Sequence, residues 1–225
     1  MSIVYIVSAP SGSGKSTLVN ELFKMVRNLD FSISYTTRPP RGSEQNGKEY
    51  FFVSREEFKA MIAADEFLEH AEVFGNYYGT AKRFLREAEA RCNDLLLDID
   101  VQGASKIKEK IPEAVSIFIL PPDREKLEWR LRNRGLDSEA VIRRRLDTAR
   151  REIENYSKYD YILVNNVLEK SADQLKNIVL SERAQRSGVE LSGEEKRRVA
   201  TAQACRLEQT RERVQPILAS FNPQM

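Results

Sequence analysis

The sequence has few of the residues on which several kinds of catalytic or metal site depend. It contains one histidine, two cysteines and one tryptophan among 225 residues. A single histidine, His70, argues against a catalytic triad built on histidine and against a histidine-rich metal site. Cys92 and Cys205 lie far apart and lack metal-binding spacing, so we interpret them as free thiols in a reducing compartment.

The sequence also lacks long apolar runs and a large excess of positive or negative charge. No apolar run approaches the ~18 residues of a membrane-spanning helix. The net charge of +2 provides no global field that would recruit nucleic acid or a membrane surface. The first residues lack the basic region and cleavage site of a signal peptide. We therefore expect a cytoplasmic protein that binds neither nucleic acid nor membrane, with a monomer and a homo-oligomer both left open.

The apolar pattern that is present predicts alternating strands and helices. Residues 3–9 are almost continuously apolar and β-branched, which is typical of a strand buried on both faces. A glycine-rich turn and an amphipathic helix follow. Further buried strands are predicted at 95–99, 116–120 and 161–164, with helices near 102–110, 123–134, 138–155 and 171–186. This alternation predicts an α/β fold with a parallel sheet flanked by helices.

Two segments interrupt the alternation and one follows it. Residues 33–84 are rich in aromatic, arginine and turn residues, and their one short helix begins at a capping box, Ser54 to Glu57. This composition indicates an inserted subdomain. Residues 124–151 concentrate arginine on two helical segments separated by Gly135. The predicted core then comprises residues 1–32, 85–123 and 152–185.

Residues 186–225 differ in character from the rest and predict a C-terminal helical extension. Ser192 to Glu195 would cap a last helix that is rich in Arg, Glu and Gln and ends near Pro216. Its apolar positions fit either an amphipathic helix docked on the core or a mostly solvated one, and the sequence does not choose between them.

A phosphate-binding loop joins the first strand to the first helix. It consists of Ala9, Pro10, Ser11, Gly12, Ser13, Gly14, Lys15, Ser16 and Thr17, and fits the G-x-x-x-x-G-K-[ST] pattern except that Ala9 replaces the first glycine. Glycines let successive backbone N–H groups point at phosphate oxygens, and the helix N-terminus adds partial positive charge. Lys15 is placed to reach the β and γ phosphates, and the Ser16 hydroxyl to bind Mg²⁺. The loop predicts a nucleoside-triphosphate site.

Five further motifs occur in register and carry a resemblance to a known family. They are Ser34-Tyr-Thr-Thr-Arg-Pro-Pro-Arg41, Gly47-Lys-Glu-Tyr-Phe-Phe52, Phe67-Leu-Glu69, Gly75-Asn-Tyr-Tyr-Gly-Thr80 and Leu97-Asp-Ile-Asp-Val-Gln-Gly103. Over about residues 2–185 the chain resembles the bacterial-type guanylate kinases, which are P-loop nucleoside-monophosphate kinases. The resemblance implies a P-loop NTPase fold with a GMP-binding insertion and an arginine-rich lid.

The resemblance also implies how GMP is held. Arg38 and Arg41, with the hydroxyls of Tyr50 and Tyr78, would bind its phosphate, since guanidinium groups bind phosphate at two points. For guanine, Glu69 would accept the N1–H and 2-amino donors with the help of Asp98, while Ser34 and Thr80 serve O6. Gly79 lies in the same motif and is counted with the GMP site.

The remaining implied roles concern ATP and the metal. Arg130, Arg134 and Arg145 would close over ATP and neutralise the transferring phosphoryl group, while Asn165 would lie beside adenine. Asp100 follows a buried strand, where P-loop proteins organise Mg²⁺ and its water. The residues expected to act in catalysis are Lys15, Arg38, Arg130, Arg134 and Arg145, with Mg²⁺ entering together with ATP.

These features imply transfer of the γ-phosphoryl group of ATP to GMP, and to dGMP as well. Three other readings compete with this interpretation. A non-catalytic guanylate-kinase-like module that binds a protein partner is disfavoured because Lys15 and Ser16 are intact. A related kinase with another acceptor is disfavoured by Glu69 and Thr80. A switch GTPase lacks support because its base-reading N/T-K-x-D motif is absent.

Overall fold

In a computed structural model of the chain, residues 2–73, 75–133, 135 and 138–222 are described. The chain forms two compact units, each made of two segments. The first unit comprises Met1–Val7 and Asn28–Val115, and the second comprises Ser8–Arg27 and Ser116–Met225. This division follows spatial contacts, and it differs from the predicted division into core, insertion and lid.

The described part of the chain consists of strands and helices that alternate in part. The strands are β1 (Val4–Ser8), β2 (Leu29–Ser32), β3 (Tyr35–Thr36), β4 (Phe51–Phe52), β5 (Phe67–Val73), β6 (Asn76–Ala81), β7 (Asp94–Asp98), β8 (Val115–Leu120) and β9 (Tyr161–Val164). The helices are α1 (Lys15–Met25), α2 (Arg55–Ala63), α3 (Lys82–Ala90), α4 (Val101–Lys110), α5 (Arg124–Asn133), α6 (Glu139–Ile153), α7 (Leu168–Arg186), α8 (Gly193–Gln203) and α9 (Leu207–Phe221), with a 3-10 turn at Glu154–Lys158.

Parallel strands form the centre of the first unit. β7 pairs in parallel with β1 on one side and with β2 on the other, with Tyr5 opposite Leu96 and Phe31 also opposite Leu96. All five residues of β1 are buried, as the continuous apolar run predicts. Helix α3 packs against β2 and β7. The strands predicted at 3–9 and 95–99 are therefore confirmed within one or two residues.

The insertion forms a second, mixed sheet in the same unit, with strand order β4-β3-β6-β5. β5 and β6 are antiparallel, and a bulge lies between Phe67 and Glu69. Ser54 caps α2 by accepting a hydrogen bond from the Glu57 N–H, so the predicted helix start is confirmed. Phe58 and Phe67 stack with ring centroids 4.5 Å apart and form the centre of an aromatic core for this sheet. A small aromatic core of this kind gives the insertion a rigid platform for polar side chains.

The second unit has its own parallel pair, with β8 beside β9 and Phe118 opposite Ile162. Helices α1 and α7 pack on each other, and α7 also packs on β9. The two arginine-rich helices α5 and α6 lie on either side of Gly135, as predicted, and contact each other. No helix in the described ranges is both long enough and apolar enough to cross a membrane.

The C-terminal extension is docked, and one prediction about it is wrong. Two helices are present instead of one, and α9 continues through Pro216 to Phe221. Proline removes one helical N–H and usually bends or ends a helix. Here Val214, Ile217 and Phe221 are buried on one side of α9, and this burial outweighs the lost hydrogen bond. The capping box at Ser192 and Glu195 is confirmed, with both reciprocal hydrogen bonds formed at the start of α8.

Candidate functional site

The phosphate loop lies in the second unit and leads directly into α1. Gly14 has φ of 87°, in the left-handed region that favours glycine, and α1 begins at the next residue, Lys15. A β-carbon at Gly14 would also clash with the amide nitrogen of Asn165. Glycine is therefore required at this position both for backbone conformation and for space. The loop therefore ends directly at the N-terminus of α1, where backbone N–H groups favour anions.

Asn165 and Arg130 fix the position of the loop. Asn165 is buried at the end of β9, and its Nδ2 donates to the Ser13 carbonyl at 2.7 Å. Arg130 Nη2 donates to the Asn165 carbonyl at 2.8 Å, and Nη1 donates to the Ser13 carbonyl at 3.4 Å. Burial lowers the pKa of Arg130, which still remains a cation at any physiological pH. The structure thus brings together the phosphate loop and two of the predicted ATP residues.

The lid helices add a second cation and a hydrophobic wall. Arg145 Nη1 on α6 lies 3.3 Å from Ser11 Oγ of the loop. Leu127 and Leu131 of α5 pack so closely on Gly12 that a β-carbon there would lie 2.9 Å from each of them. The predicted contact of Arg134 with nucleotide falls on a residue outside the described ranges.

A cleft of about 340 Å³ opens beside the loop. Its walls are the loop itself, α5 and the segment after β9. Trp129 lies at this cleft with 57% of its surface exposed, and Lys126 Nζ lies 4.8 Å from its ring centroid. The sequence interpretation missed Trp129, although one exposed tryptophan on a highly charged helix is a usable signal. The residues lining the cleft are Gly12, Gly14, Thr17, Trp129, Arg130, Asn133, Asn165, Asn166 and Leu168.

A buried arginine dominates the acceptor side, in the first unit. Arg38 is only 7% exposed, and its two terminal nitrogens donate to the two carboxylate oxygens of Glu44 at 3.0 Å each. Burial alone would lower the pKa of Arg38, but the hydrogen bond to Glu44 raises it above its ordinary value. The Arg38 guanidinium also lies 5.3 Å from the ring centroid of Tyr50, which is 6.0 Å from that of Tyr78. Arg38, Tyr50 and Tyr78 are therefore close together, as predicted.

Glu44 was missed by the sequence interpretation. It accepts from the Arg41 N–H at 2.8 Å as well as from Arg38, while the remainder of Arg41 is exposed. These hydrogen bonds lower the pKa of the Glu44 carboxyl, although its partial burial acts in the opposite direction. Glu44 therefore holds the Arg38 guanidinium in place. No local signal marks it, because an acidic residue in a polar turn is ordinary.

A buried carboxylate is the second feature of the acceptor side. Glu69 on β5 is 6% exposed, and its Oε1 accepts from Thr80 Oγ1 at 2.8 Å. Burial raises the pKa of the Glu69 carboxyl, the Thr80 hydrogen bond opposes this, and Asp100 adds to the rise. Gly79 lies beside Thr80, and a β-carbon there would lie 2.8 Å from the Phe67 ring. Gly79 thus serves the packing of the aromatic core, which positions the strand that bears Thr80.

Helix α4 supports the strand that carries Glu69. Lys106 donates to the His70 carbonyl and Lys110 donates to the Leu68 carbonyl, so the two residues flanking Glu69 are both tied to α4. Gly103 lies against the carboxylate, since a β-carbon there would be 3.0 Å from Glu69 Oε2. The bulge in β5 and these lysines were not predicted, because they depend on pairings between distant parts of the chain.

The remaining predicted residues lie nearby in the same unit or at the start of α1. Asp98 ends β7, and Asp100 caps α4 by accepting from the N–H groups of Gln102 and Gly103. Ser34 is half-buried between β2 and β3, and its carbonyl accepts from the Phe51 N–H at 2.9 Å. Ser16 is exposed in the first turn of α1. The described ranges contain no group of three or more His, Cys, Asp or Glu side chains arranged to hold a metal ion.

Comparison with known proteins gives a consistent result. The family model described as guanylate kinase matches residues 1–182. Among curated relatives, a guanylate kinase of Koribacter versatilis is 61% identical over 221 residues, which is 97% of this chain and 95% of the relative. A guanylate kinase of Escherichia coli strain K12 is 50% identical over 186 residues, 82% of this chain and 90% of the relative.

A solved structure gives the same result at the level of the fold. The crystal structure of a guanylate kinase from Anaplasma phagocytophilum superposes with a TM-score of 0.67 at 39% identity, covering 80% of this chain and 86% of that one. The predicted α/β fold with a parallel sheet flanked by helices is therefore confirmed.

Proposed function

The chain belongs to the guanylate kinase family, whose members transfer a phosphoryl group from ATP to GMP, and from this premise we propose which residues bind each substrate. The second unit would bind ATP through the phosphate loop and the arginine-rich helices. The first unit would bind GMP through Arg38 and Glu69. The observation that carries this assignment is the buried Glu69 carboxylate, because it matches the two adjacent donors of guanine.

The donor site is supported by charge and backbone geometry. Residues 9–17 would surround the phosphates with N–H groups, and Lys15 would neutralise the β and γ phosphates. Arg130 and Arg145 already contact the loop, so their charge is available where the phosphoryl group leaves ADP. The cleft with Trp129 and Asn165 offers an aromatic face and an amide to adenine. Arg134 keeps its proposed role as a lid cation.

On the acceptor side, phosphate and base would be recognised by different residues. Arg38 and Arg41, with the hydroxyls of Tyr50 and Tyr78, would bind the phosphate, and an arriving dianion would compete with Glu44 for the Arg38 fork. Glu69 and Asp98 would accept the guanine donors, and Ser34 would donate to O6.

Thr80 has a narrower role in this proposal than the resemblance implies. Its single hydroxyl proton points at Glu69 in this structure. One hydroxyl cannot donate to a carboxylate and to O6 at the same time. We therefore assign Thr80 to orienting the carboxylate, beside Gly79.

Magnesium fits the oxygen donors at the start of α1. The exposed Ser16 hydroxyl is the kind of ligand that Mg²⁺ takes together with nucleotide phosphates and water. Asp100 commits one carboxylate oxygen to capping α4, so we propose it for the water shell of the cation. When bound, the cation supplies charge neutralisation at the transferring phosphate.

No general base is needed for the transfer. A phosphate monoester has its second pKa near ~6, so the attacking oxygen of GMP is already ionised at neutral pH. Positioning and electrostatic stabilisation then carry the reaction, which suits a chain with one histidine. We extend the proposal to dGMP as a second acceptor, because none of the proposed contacts involves the ribose 2′-hydroxyl. Two free cysteines support a reducing, cytoplasmic location.

The assignment predicts a distinct acceptor profile. ADP release from ATP and Mg²⁺ would be followed by a coupled assay with GMP, dGMP, AMP, CMP and UMP in parallel. We expect GMP and dGMP to be used and AMP to be used at least 10²-fold less well in kcat/KM, because adenine leaves the buried carboxylate without its donors. Comparable use of AMP would overturn the assignment of Glu69.

Discrimination between GMP and AMP should also depend on pH. Only ionised Glu69 accepts both guanine donors, and burial raises the pKa of this carboxyl, so protonation begins at a higher pH than for an ordinary glutamate. The ratio of kcat/KM for GMP to that for AMP should therefore fall as the pH is lowered from 8 towards about 5. Taking the ratio cancels the titration of the phosphate, which both acceptors share. A flat ratio in the wild type, or the same fall in Glu69→Gln, would exclude Glu69 as the titrating group.

A further inference from the structure

The C-terminal extension, residues 186–225, lies beyond the part of the chain that matches the family model, which ends at residue 182. The Escherichia coli relative aligns over 186 residues, whereas the Koribacter versatilis relative aligns over 221. The extension therefore belongs to this chain and to some of its relatives, and its role does not follow from the shared domain.

The extension is anchored on strand β9. The Ile162 N–H donates to the Cys205 carbonyl at 2.7 Å, and the Leu207 N–H donates to the Asp160 carbonyl at 3.2 Å. Tyr161 and Arg206 form an antiparallel bridge between these two hydrogen bonds. Backbone groups along β9 are thereby paired by the extension, as an added strand would pair them.

A buried polar cluster locks this anchor. Glu182 is 7% exposed, and its Oε1 accepts from Tyr161 Oη at 2.5 Å and from Arg206 Nη2 at 2.9 Å. The Arg206 guanidinium also lies 4.1 Å from the Tyr161 ring centroid. Because a buried carboxylate needs its partners, the position of Arg206 is closely defined.

From this anchor α9 runs to the first turn of α5. Ser220 Oγ accepts from the Arg124 N–H at 3.1 Å and donates to the Ile217 carbonyl at 2.6 Å. Asp123, just before α5, accepts from the Lys126 N–H at 2.6 Å. The first turn of α5 is thus capped partly by its own chain neighbour and partly by a hydroxyl from the extension. Capping of this kind satisfies N–H groups that otherwise have no partner inside the helix.

The rest of α5 contacts the phosphate loop. Arg130 lies six residues after Arg124, about 9 Å along the helix axis. Its guanidinium holds the carbonyls of Asn165 and Ser13, and Leu127 packs on Gly12. One short helix therefore contacts the extension at its start and the loop along its length, so a shift at Arg124 moves Arg130.

We propose that the extension positions α5 for ATP binding, with Ser220 as a positioning residue that acts through Arg130. This inference rests on the proposed contact of Arg130 with ATP. Without the Ser220 hydroxyl, the first turn of α5 loses one cap and the guanidinium of Arg130 is less firmly placed. The proposed GMP residues all lie in the other unit, so this proposal assigns Ser220 no role in GMP binding.

The test compares serine variants that differ in which helix they cap. Ser220→Ala should raise the KM for ATP about 3- to 10-fold, since an N-cap contributes of order 1 kcal/mol. The KM for GMP should stay within two-fold, and Ser220→Thr, which keeps a hydroxyl, should restore the KM for ATP. Ser192→Ala is the matched control, because Ser192 caps α8 in the same extension and has no contact with α5 among the described hydrogen bonds. It should lower the melting temperature and leave both KM values unchanged.

A double-mutant cycle identifies the route. If Ser220 acts through Arg130, adding Ser220→Ala to Arg130→Ala should produce no further rise in the KM for ATP. Additive effects, an equal rise in the KM for GMP, or the same rise in Ser192→Ala would overturn the positioning role. Arg130→Ala alone tests the proposed function. If it leaves the KM for ATP unchanged, the assignment of Arg130 fails. If Arg130→Ala raises the KM for ATP strongly and Ser220→Ala does not change it, only the role of the extension is rejected.

Discussion

Lys15→Ala should reduce kcat by about 10²-fold or more while the protein remains folded. Lys15 is the first residue of α1, directly after the left-handed Gly14, where the loop N–H groups and the helix dipole favour phosphate. Removing one charge directed at the transferring group in a water-poor site costs on the order of 3 kcal/mol in transition-state stabilisation. Steady-state kinetics with saturating GMP and ATP, together with thermal unfolding, would measure both effects.

Lys24→Ala is the matched control for this variant. Lys24 lies in the last turn of the same helix, is largely exposed and pairs with Glu21 at 2.6 Å. Lys24→Ala removes one positive charge from the same helix, as Lys15→Ala does, but at a position away from the loop. An exposed ion pair contributes little to stability. We expect near-normal kcat. Normal turnover in Lys15→Ala, or an equal loss in Lys24→Ala, would contradict a phosphate-loop mechanism.

Glu69→Gln should weaken GMP binding roughly 10- to 150-fold and lower the preference for GMP over AMP. The amide keeps one acceptor but presents an NH₂ group to a guanine donor, and a buried charged hydrogen bond contributes about 1.5–3 kcal/mol. The KM for ATP should change little. Glu72→Gln is the control, since Glu72 is an exposed glutamate on the same strand.

Arg38→Ala should weaken the binding of every nucleoside monophosphate to the same extent, because Arg38 is proposed to bind the phosphate and not the base. Selectivity for GMP over AMP should therefore be preserved in Arg38→Ala and lost in Glu69→Gln. Kinetics with both acceptors on both variants separate the two roles. Retention of full discrimination in Glu69→Gln would transfer base recognition to another residue, Asp98 first.

Glu69→Gln should lower activity with GMP without lowering the free energy of unfolding. Burial raises the pKa of its carboxyl, so the folded protein holds this proton more tightly than the unfolded chain does. Above the ordinary glutamate pKa of about 4.3, the ionised carboxylate therefore lowers the free energy of unfolding. Glu69→Gln removes this penalty, so its melting temperature at pH 7 should not fall, and a loss of GMP binding cannot then be attributed to misfolding.

The sequence was most informative where structure and chemistry are encoded by neighbouring residues. The phosphate loop and the buried strand before it occupy one short stretch, and both are where the pattern predicts them. Glu69 and Thr80 were identified only because their motifs resemble a family, since a lone glutamate in a strand predicts no site. Their hydrogen bond, and with it the narrower role proposed for Thr80, depend on the register of two antiparallel strands.

Long-range pairings account for what could not be predicted. The pairing of Glu44 with Arg38 depends on how a polar turn folds back, and the docking of the extension depends on a cluster of Glu182, Tyr161 and Arg206. Pro216 indicated the end of a helix, but tertiary burial overrode this local preference. Composition and periodicity describe each segment alone, and these contacts join segments that are distant in sequence.

The cap that α9 provides to α5 also has a consequence for the order of events during synthesis. Ser220 is 96 residues downstream of Arg124. At about 5–20 residues per second, the ribosome needs roughly 5 to 20 s to reach it after Arg124 has been added. Helix α5 has 10 residues and is only marginally stable by itself, and for these seconds the hydroxyl that caps its start has not been made. The nascent chain therefore passes through a stage in which all residues of the phosphate loop have been synthesised, but the start of the helix that contacts this loop still lacks its cap from α9.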